Sequence, residues 1–299
     1  MRIPPQFDLG VATHTGRVRA TNEDDFLLVA PPSGKPFALL VAVADGLGGA
    51  AGGAEASRSG LRGLASAALS ASDLALDDIV RRGFSAASER VAEQALLVPS
   101  LAEMATTLCA VVIDGHSAAI GHVGDSRVYL QRASVLRQLT VDHASKEDRN
   151  RLLRCIGGSA PDQQPDVTEV DLAIGDRLLL CSDGVWGFVP EADLASAMLV
   201  RDPRRAADRL VALSLQSGGA DNATVVLVDF VGDEGSGLAV ERELAREESS
   251  LAGEEPRARR LGAPRWPFFV LFAAVVALLL AWLRMGLGFN VFLWLQGVR

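Results

Sequence analysis

Short apolar runs, separated by Gly, Pro and Asp, recur along the first 231 residues and predict β-strands. The runs read FDLGVATHTG, DFLLVAP, FALLVAVADG, TTLCAVVIDG, SAAIGHVGDSRVYLQR, PDVTEVDL, DRLLLCSDG and NATVVLVDF. Longer Ala-rich stretches at about 50–70, 74–97, 190–200 and 203–217 predict helices. This order lacks the strict alternation of a doubly wound sheet, and it indicates an α+β domain with largely antiparallel sheets over residues 5–231.

The strongest apolar run of the chain is its C-terminal one, Trp266–Leu283, which is uncharged and bounded by Arg265 and Arg284. As a helix its 18 residues would measure about 27 Å, close to the ~30 Å thickness of a bilayer's hydrocarbon core. A buried core helix is the alternative interpretation, but the run has no polar stripe. We therefore predict a transmembrane helix over 265–284 and a short apolar tail over 285–299.

The residues around this run predict its orientation. Residues 232–264 are rich in Gly, Glu and Arg and are expected to form a flexible charged linker. Met1–Gly10 has no apolar segment of the kind that a signal peptide needs. Arginines are denser before the predicted helix (Arg257, Arg259, Arg260, Arg265) than after it (Arg284, Arg299). The positive-inside rule then predicts a single-pass protein of the cell inner membrane whose N-terminal domain is cytoplasmic.

Composition excludes some classes of protein. The net charge of −8 and pI of about 5.1 argue against a nucleic-acid partner, which would need a basic face. The three cysteines, Cys109, Cys155 and Cys181, are too few for a disulfide framework and lack metal-ligand spacing. The mean hydropathy of +0.22 is high for a soluble enzyme, and much of the excess comes from the C-terminal run.

Acidic residues cluster where the predicted strands begin or end. The positions concerned are Asp45-Gly46, Asp125, Asp183-Gly184, Asp221-Asn222 and Asn22-Glu23-Asp24-Asp25. Taken singly, each is explained by a turn, since Asp-Gly is a common turn dipeptide. Five together, with little basic compensation, indicate carboxylates that converge on an ion. Oxygen ligands without paired His or Cys suit Mg²⁺ or Mn²⁺ better than zinc.

One basic residue lies beside the first of these clusters. Arg19 precedes Asn22 by three residues in GRVRATNEDD. A guanidinium at this point suits either an ion pair with the carboxylates or a bidentate contact with a phosphate. The residues alone leave both interpretations open.

Read in order, seven short strings resemble a known family. R-x-x-N-E-D, ADGxGG, TTL, GDSR, LTxDH, GDRLLLCSDG and DNAT-VVxV follow one another as in PP2C-type (PPM) metal-dependent serine/threonine phosphatases, especially the bacterial ones. The resemblance covers roughly residues 7–231. It implies a four-layer α-β-β-α sandwich of two antiparallel sheets, with a metal centre at one edge.

The resemblance also implies roles for individual residues, with two Mn²⁺ or Mg²⁺ ions and, in many bacterial members, a third that is held more weakly. The matching metal positions are Asp45 (bridging), Gly46 (through its carbonyl), Asp183 and Asp221 (direct), Glu23 and Asp24 (through water) and Asp125 (third ion, with Asp183). Arg19 matches the phosphate-binding arginine, and Asn222 is expected to order Asp221.

The implied activity is hydrolysis of phosphoserine and phosphothreonine monoesters by a water that bridges the two ions. The expected partners are phosphorylated proteins, including a cognate serine/threonine kinase and its substrates. The alternative is a catalytically silent, membrane-anchored binding module. Loss of a metal aspartate would favour that alternative, but Asp45, Asp183 and Asp221 are all present.

Two departures from the family pattern stand out. Leu47 occupies the position where many eukaryotic members carry a histidine proposed as general acid, so a metal-bound water is expected to donate the proton here. The segment from His143 to Gly157 is shorter than the helical flap of many bacterial members. The resemblance therefore implies a reduced flap and a more open cleft.

Overall fold

The computed structural model describes residues 2–145, 151–158 and 163–232. Its strands, in chain order, are β1 (Phe7–His14), β2 (Asp24–Val29), β3 (Leu39–Leu47), β4 (Ala105–Thr106), β5 (Leu108–Asp114), β6 (Ser117–Val123), β7 (Arg127–Arg132), β8 (Val135–Gln138), β9 (Ile156–Gly157), β10 (Asp166–Asp171), β11 (Arg177–Cys181) and β12 (Ala223–Phe230). Its α-helices are α1 (Ala50–Ser70), α2 (Leu76–Leu97), α3 (Asp183–Trp186), α4 (Glu191–Met198) and α5 (Pro203–Gln216). A short 3₁₀ turn covers Pro99–Leu101.

The strands form two antiparallel sheets. The first has the order β1-β12-β11-β7-β8. The second has the order β10-β6-β5-β3-β4-β9, with β2 paired to β3 beside this path. Because neighbouring strands are antiparallel, the end of one strand and the start of the next lie at the same edge.

The alternation of side chains along β3 shows why the sheets are covered on both faces. Leu39, Val41 and Val43 point into an apolar core shared with the first sheet, which contributes residues such as Leu180 and Val226. The intervening residues of β3 belong to a second core, under α1 and α2. Both faces of β3 are therefore buried, which explains its almost continuous apolar sequence.

Helices cover the outer face of each sheet. Leu64 of α1 and Phe84 of α2 are fully buried against the second sheet. Leu194 of α4 and Leu210 of α5 are buried against the first sheet. The four layers are thus helices, sheet, sheet and helices, which confirms the predicted α+β sandwich of two antiparallel sheets.

The predicted elements differ from the structure at a few points. The run SAAIGHVGDSRVYLQR is not one strand, because Gly124 adopts a left-handed φ of 108° and the chain crosses there from β6 in one sheet to β7 in the other. The one-turn helix α3 and the short strands β4, β8 and β9 were not predicted.

The predicted linker (232–264), transmembrane helix (265–284) and tail (285–299) lie outside the described residues, apart from Gly232. Within the part of the chain that the structure describes, no helix has both the length and the apolar character needed to cross a bilayer.

Candidate metal centre

The acidic residues singled out by the sequence meet at one edge of the sandwich. Asp24 begins β2 and lies directly opposite Asp45, near the end of β3. Asp183 follows β11, and Asp221 precedes β12, which is the antiparallel neighbour of β11. Asp125 lies in the turn between β6 and β7. Antiparallel pairing therefore collects carboxylates from distant parts of the sequence at a single point.

A pocket of about 240 Å³ opens at this edge. Its wall is formed by Arg19, Glu23, Asp45, Gly46, Leu47, Gly48, Gly49, Thr107, Asp125, Leu152, Asp183, Asp221 and Asn222. All the predicted site residues except Asp24 line it, and Asp24 is buried in β2.

Two threonines hold the backbone of Asp45. Thr106 is the last residue of β4, and Thr107 follows this strand directly. The Asp45 N–H donates to Thr107 Oγ1 at 3.0 Å, and its carbonyl accepts from the Thr107 N–H at 2.8 Å and from Thr106 Oγ1 at 3.0 Å. Thr107 Oγ1 also shares a hydrogen bond of 2.7 Å with Ser126 Oγ. The two threonines thus fix the backbone from which the Asp45 carboxylate extends.

Two glycines allow the backbone to approach closely at the pocket wall. A methyl group on Gly46 would lie 2.1 Å from the carbonyl oxygen of Gly53, and one on Gly53 would lie 2.0 Å from Glu23 Oε2. The Gly46 N–H donates to the Glu23 carbonyl at 3.2 Å. Glycine is required at both positions because any side chain would separate β3, α1 and Glu23.

Asn222 joins the loop that carries Arg19 to the start of β12. Its Oδ1 accepts from the Glu23 N–H at 2.9 Å, and its Nδ2 donates to the carbonyls of Thr15 and Thr21 at 2.8 and 2.9 Å. The amide is therefore fully used in holding the loop. The sequence predicts a role for Asn222 in ordering Asp221. The structure adds that its side-chain amide positions the backbone of Glu23.

Asp24 has one satisfied and one unsatisfied carboxylate oxygen. Its Oδ2 accepts from Ser182 Oγ at 2.7 Å, whereas its Oδ1 is buried without a hydrogen-bond partner among the described residues. Burial raises the pKa of Asp24 to about 7, and the charges of Asp183 and Asp221 add to the effect, against the hydrogen bond from Ser182. Buried carboxylate oxygens normally have a hydrogen-bond donor or a cation as a partner. Among the described residues, Asp24 Oδ1 has no hydrogen-bond donor.

Four further carboxylates, those of Asp45, Asp125, Asp183 and Glu23, also have raised pKa values, with burial as the largest cause in each case. The pKa of Asp45 lies well above its ordinary value, because of burial and then the charges of Asp24, Asp183 and Asp125. Burial and then Asp183 raise the pKa of Asp125 to about 7. The pKa values of Asp183 and Glu23 are raised as well. The cluster is thus an electrostatically unfavourable group of like charges.

Arg19 forms an ion pair with one member of the cluster. Its Nη2 lies 2.7 Å from Asp221 Oδ2, and the arginine side chain remains 49% exposed. The other Asp221 oxygen accepts from the Asn222 N–H at 2.8 Å. Both carboxylate oxygens of Asp221 therefore already have partners. Among the described residues, no three His, Cys, Asp or Glu side chains are arranged closely enough to hold one metal ion.

The donor set nevertheless fits divalent cations with a preference for oxygen. The carboxylates are numerous, poorly compensated by positive charge and include the orphaned Oδ1 of Asp24. The described wall of the pocket carries no imidazole or thiol, which excludes a typical zinc set. For Asp221 to bind an ion, its carboxylate must give up the ion pair with Arg19.

Sequence reasoning missed two supporting residues. Ser182 donates to Asp24 and accepts from the Thr224 N–H at 3.0 Å, so it links β2 to the first sheet. Trp186 closes α3 and donates from Nε1 to the Asp125 carbonyl at 2.9 Å. Both residues lie in CSDGVW, the segment that contains Asp183. Their closeness to Asp183 in the sequence is the feature that could have suggested a role for them.

The predicted short flap is partly described. Ala144 pairs with Leu152 in an isolated antiparallel bridge, and Leu152 reaches the pocket wall beside Leu47. His143 Nε2 lies 3.0 Å from Asp166 Oδ2, and this hydrogen bond holds the histidine at the start of the segment. Residues 146–150 lie outside the described residues.

Comparison with known proteins agrees with this geometry. A family model described as protein phosphatase 2C matches residues 13–231. The chain is 35% identical over 242 residues to the serine/threonine protein phosphatase PstP of Mycobacterium tuberculosis, covering 72% of this chain and 43% of PstP. It is 33% identical over 239 residues to the serine/threonine phosphatase Stp of Listeria monocytogenes, covering 73% of this chain and 93% of Stp.

The structural comparison gives the same family. The crystal structure of the catalytic domain of PstP, in complex with two manganese ions, superposes with a TM-score of 0.66 at 31% identity. That match covers 75% of this chain and 97% of the PstP domain. The fold and the acidic edge define a PP2C-type phosphatase domain. The chain belongs to the protein phosphatase 2C family, and its matched part spans less than half the length of PstP.

Proposed function

We propose that this chain is a metal-dependent protein phosphatase that hydrolyses phosphoserine and phosphothreonine monoesters. The observation that carries the proposal is the convergence of Asp45, Asp125, Asp183 and Asp221 on one pocket whose mouth holds the half-exposed Arg19. Support comes from relatives named as serine/threonine phosphatases that match this whole region. A cognate kinase and its substrates are the partners that this activity implies.

The proposal gives each residue of the acidic edge a role in holding Mn²⁺ or Mg²⁺. Asp45 and the Gly46 carbonyl lie together at the end of β3, while Asp183 and Asp221 face them from the other sheet. Glu23 and Asp24 would act through waters, and Asp125 with Asp183 would hold a third ion. When bound, the ions would supply an activated water and neutralise charge during displacement at phosphorus.

The described wall of this pocket offers no thiol, imidazole or free hydroxyl as a nucleophile, and its carboxylates are assigned to the ions. Thr107 carries the wall's hydroxyl group, and its oxygen is occupied by the Asp45 N–H and Ser126 Oγ. The described wall has no cysteine, serine or histidine. This composition supports direct attack by water rather than a covalent intermediate on the protein.

Arg19 has the position and chemistry to orient the phosphoryl group. Its guanidinium lies at the pocket mouth, half exposed, and is the basic group on the described wall. A planar guanidinium can donate two parallel hydrogen bonds to phosphate oxygens. Arg19 therefore binds the substrate and leaves Asp221 to the ions.

The experiment for this function measures release of phosphate from a phosphothreonine peptide by the purified full chain. Turnover should require Mn²⁺ or Mg²⁺, stop with a chelator, and be lost in Asp183→Ala. Manganese-dependent turnover that survives in Asp183→Ala would refute the assignment. Metal binding without any turnover would favour the silent binding module.

We further propose that residues 265–284 anchor the enzyme to the inner membrane, with the phosphatase domain in the cytoplasm. The support is the uncharged apolar run Trp266–Leu283 and the arginines that precede it. The full chain should then pellet with membranes and resist carbonate extraction. Introducing Val275→Arg with Leu278→Arg should release it, since each central charge costs about 3 kcal/mol. Carbonate release of the unaltered chain would contradict the anchor.

A further inference from the structure

A hydrogen bond ties the turn that carries Asp125 to the helix that carries Asp183. Trp186 Nε1 donates to the Asp125 carbonyl at 2.9 Å. Helix α3 is a single turn in which Asp183 is the first residue and Trp186 the last, so the two side chains are three residues apart on one face. The indole therefore sets the position of Asp125 relative to the Asp183 carboxylate.

A guanidinium holds this indole in place. The Cζ atom of Arg127 lies 3.4 Å from the centre of the Trp186 ring, a cation–π contact. Arg127 forks onto Asp142, with Nε to Oδ1 at 2.8 Å and Nη2 to Oδ2 at 2.6 Å, and Nη1 donates to Tyr129 Oη at 2.9 Å. Every nitrogen of the guanidinium is used, so the ring beneath it has one preferred orientation.

The two aspartates would not stay together without such support. Asp125 is only 8% exposed, and its side chain lines the same pocket as that of Asp183. Two buried carboxylates repel each other strongly, so contacts elsewhere must offset the repulsion. Asp142 holds Arg127, Arg127 contacts the Trp186 ring, and Trp186 donates a hydrogen bond to the Asp125 carbonyl. These contacts therefore hold the backbone of Asp125 in place against the repulsion.

We propose that Trp186 and Arg127 are positioning residues that hold Asp125 beside Asp183 and thereby create the weaker, third cation site. The inference rests on the proposed function for the identity of the ions. It adds that occupancy of this site depends on an aromatic ring and a guanidinium that touch no ion themselves.

The test measures Mn²⁺ binding to the purified full chain by calorimetry and by the electron paramagnetic resonance signal of free Mn²⁺. Trp186→Phe keeps the ring under Arg127 and removes only the N–H donor. It should weaken the weakest Mn²⁺ step about three- to tenfold, the effect of one hydrogen bond, and leave the tighter steps unchanged. Arg127→Lys should act in the same direction, because lysine keeps the charge but loses the planar fork.

Arg132→Lys is the matched control, because Arg132 lies on the same strand and forks onto Asp176 away from the pocket. It should leave every Mn²⁺ step unchanged. Equal weakening of all steps in Trp186→Phe, an unchanged weakest step, or only two ions in the unaltered chain would each overturn the inference. Selective weakening in a chain without turnover would retain this inference and refute the proposed function, so the two failures are distinguishable.

Discussion

Arg19 Nη2 lies 2.7 Å from Asp221 Oδ2, although 202 residues separate the two positions in the chain. The pair joins the residue assigned to the phosphate with a residue assigned to a metal ion. Sequence reasoning left an ion pair and a phosphate contact equally open for Arg19, and the structure shows the ion pair. Because the side chain is half exposed, the same guanidinium can turn to a phosphate when Asp221 binds an ion.

This ion pair predicts that Arg19→Ala will change catalytic efficiency and Mn²⁺ affinity in different ways. Catalytic efficiency kcat/KM on a phosphothreonine peptide should fall roughly tenfold to a hundredfold, mainly through KM, because a charge-assisted hydrogen bond is lost. Affinity for Mn²⁺ should be equal or tighter, because Asp221 no longer has a competing cation. Arg17→Ala, in the same loop and also exposed, should change neither quantity. An unchanged kcat/KM in Arg19→Ala would contradict the phosphate role.

Asp45→Asn should separate activity from stability. Burial and the charges of Asp24, Asp183 and Asp125 raise the pKa of Asp45, so its carboxylate is unfavourable in the metal-free chain. Removing that charge should raise the free energy of unfolding in chelator by about 1–3 kcal/mol and abolish turnover with Mn²⁺. Urea unfolding with and without Mn²⁺ checks both results. A less stable metal-free variant would show that the cluster is not under electrostatic strain.

Gly46→Ala should damage the site through a steric clash. The new methyl group would lie 2.1 Å from the Gly53 carbonyl oxygen, so β3 and α1 must separate. The free energy of unfolding should fall by about 1–3 kcal/mol, and turnover should fall with it. Gly52→Ala is the matched control, since its methyl group would lie 3.5 Å from Met104 Cβ, an ordinary contact. Similar behaviour of the two variants would refute the need for close approach at Gly46.

His122 predicts an acid-dependent loss of stability. Both ring nitrogens are buried without a hydrogen-bond partner among the described residues. The ring packs against that of His143, with the centroids 4.7 Å apart and the planes tilted by 37°. Burial, and then the charge of His143, lower the pKa of His122 to about 4, while Asp142 and Asp166 oppose the shift. The unfolded chain therefore binds the proton more readily between pH 6.5 and 4. Stability is retained above pH 6.5 and lost as the pH falls towards 4.

His122→Phe keeps an aromatic ring against His143 and removes this titration. The variant should lose roughly 3 kcal/mol less than the unaltered chain between pH 7 and 4, because each pKa unit corresponds to about 1.4 kcal/mol. Urea unfolding at several pH values in chelator measures the difference. His116→Gln, at an exposed histidine, should follow the unaltered chain. Parallel curves for His122→Phe and the unaltered chain would refute the account of this residue.

Much of the fold was predictable because its signals are local. The continuous apolar run of β3 and the Ala-rich stretches of α1 and α2 can be recognised from consecutive residues. Strands β4 and β9 were not predictable in this way, since two residues form a strand only through a distant partner. Helix α3 was missed because CSDGVW continues the apolar run of β11, and its single turn is too short for a helical period.

The candidate site shows the same division. The aspartates stood out because each lies where an apolar run begins or ends, and the structure brings Asp45, Asp125, Asp183 and Asp221 to one wall. The ion pair of Arg19 and the contact of Trp186 with Asp125 depend on how separate loops meet across the two sheets. No local pattern encodes such contacts, so sequence reasoning assigned no role to Trp186.

The most direct test of the central claim is a Mn²⁺ titration of phosphothreonine-peptide hydrolysis by the full chain, in parallel with Asp183→Ala. We predict that phosphate release by the unaltered chain rises from background in chelator to a plateau with Mn²⁺. Asp183→Ala should remain at background throughout the titration. Release that is independent of Mn²⁺, or an equal plateau in Asp183→Ala, would contradict the assignment of this acidic edge as the catalytic metal centre.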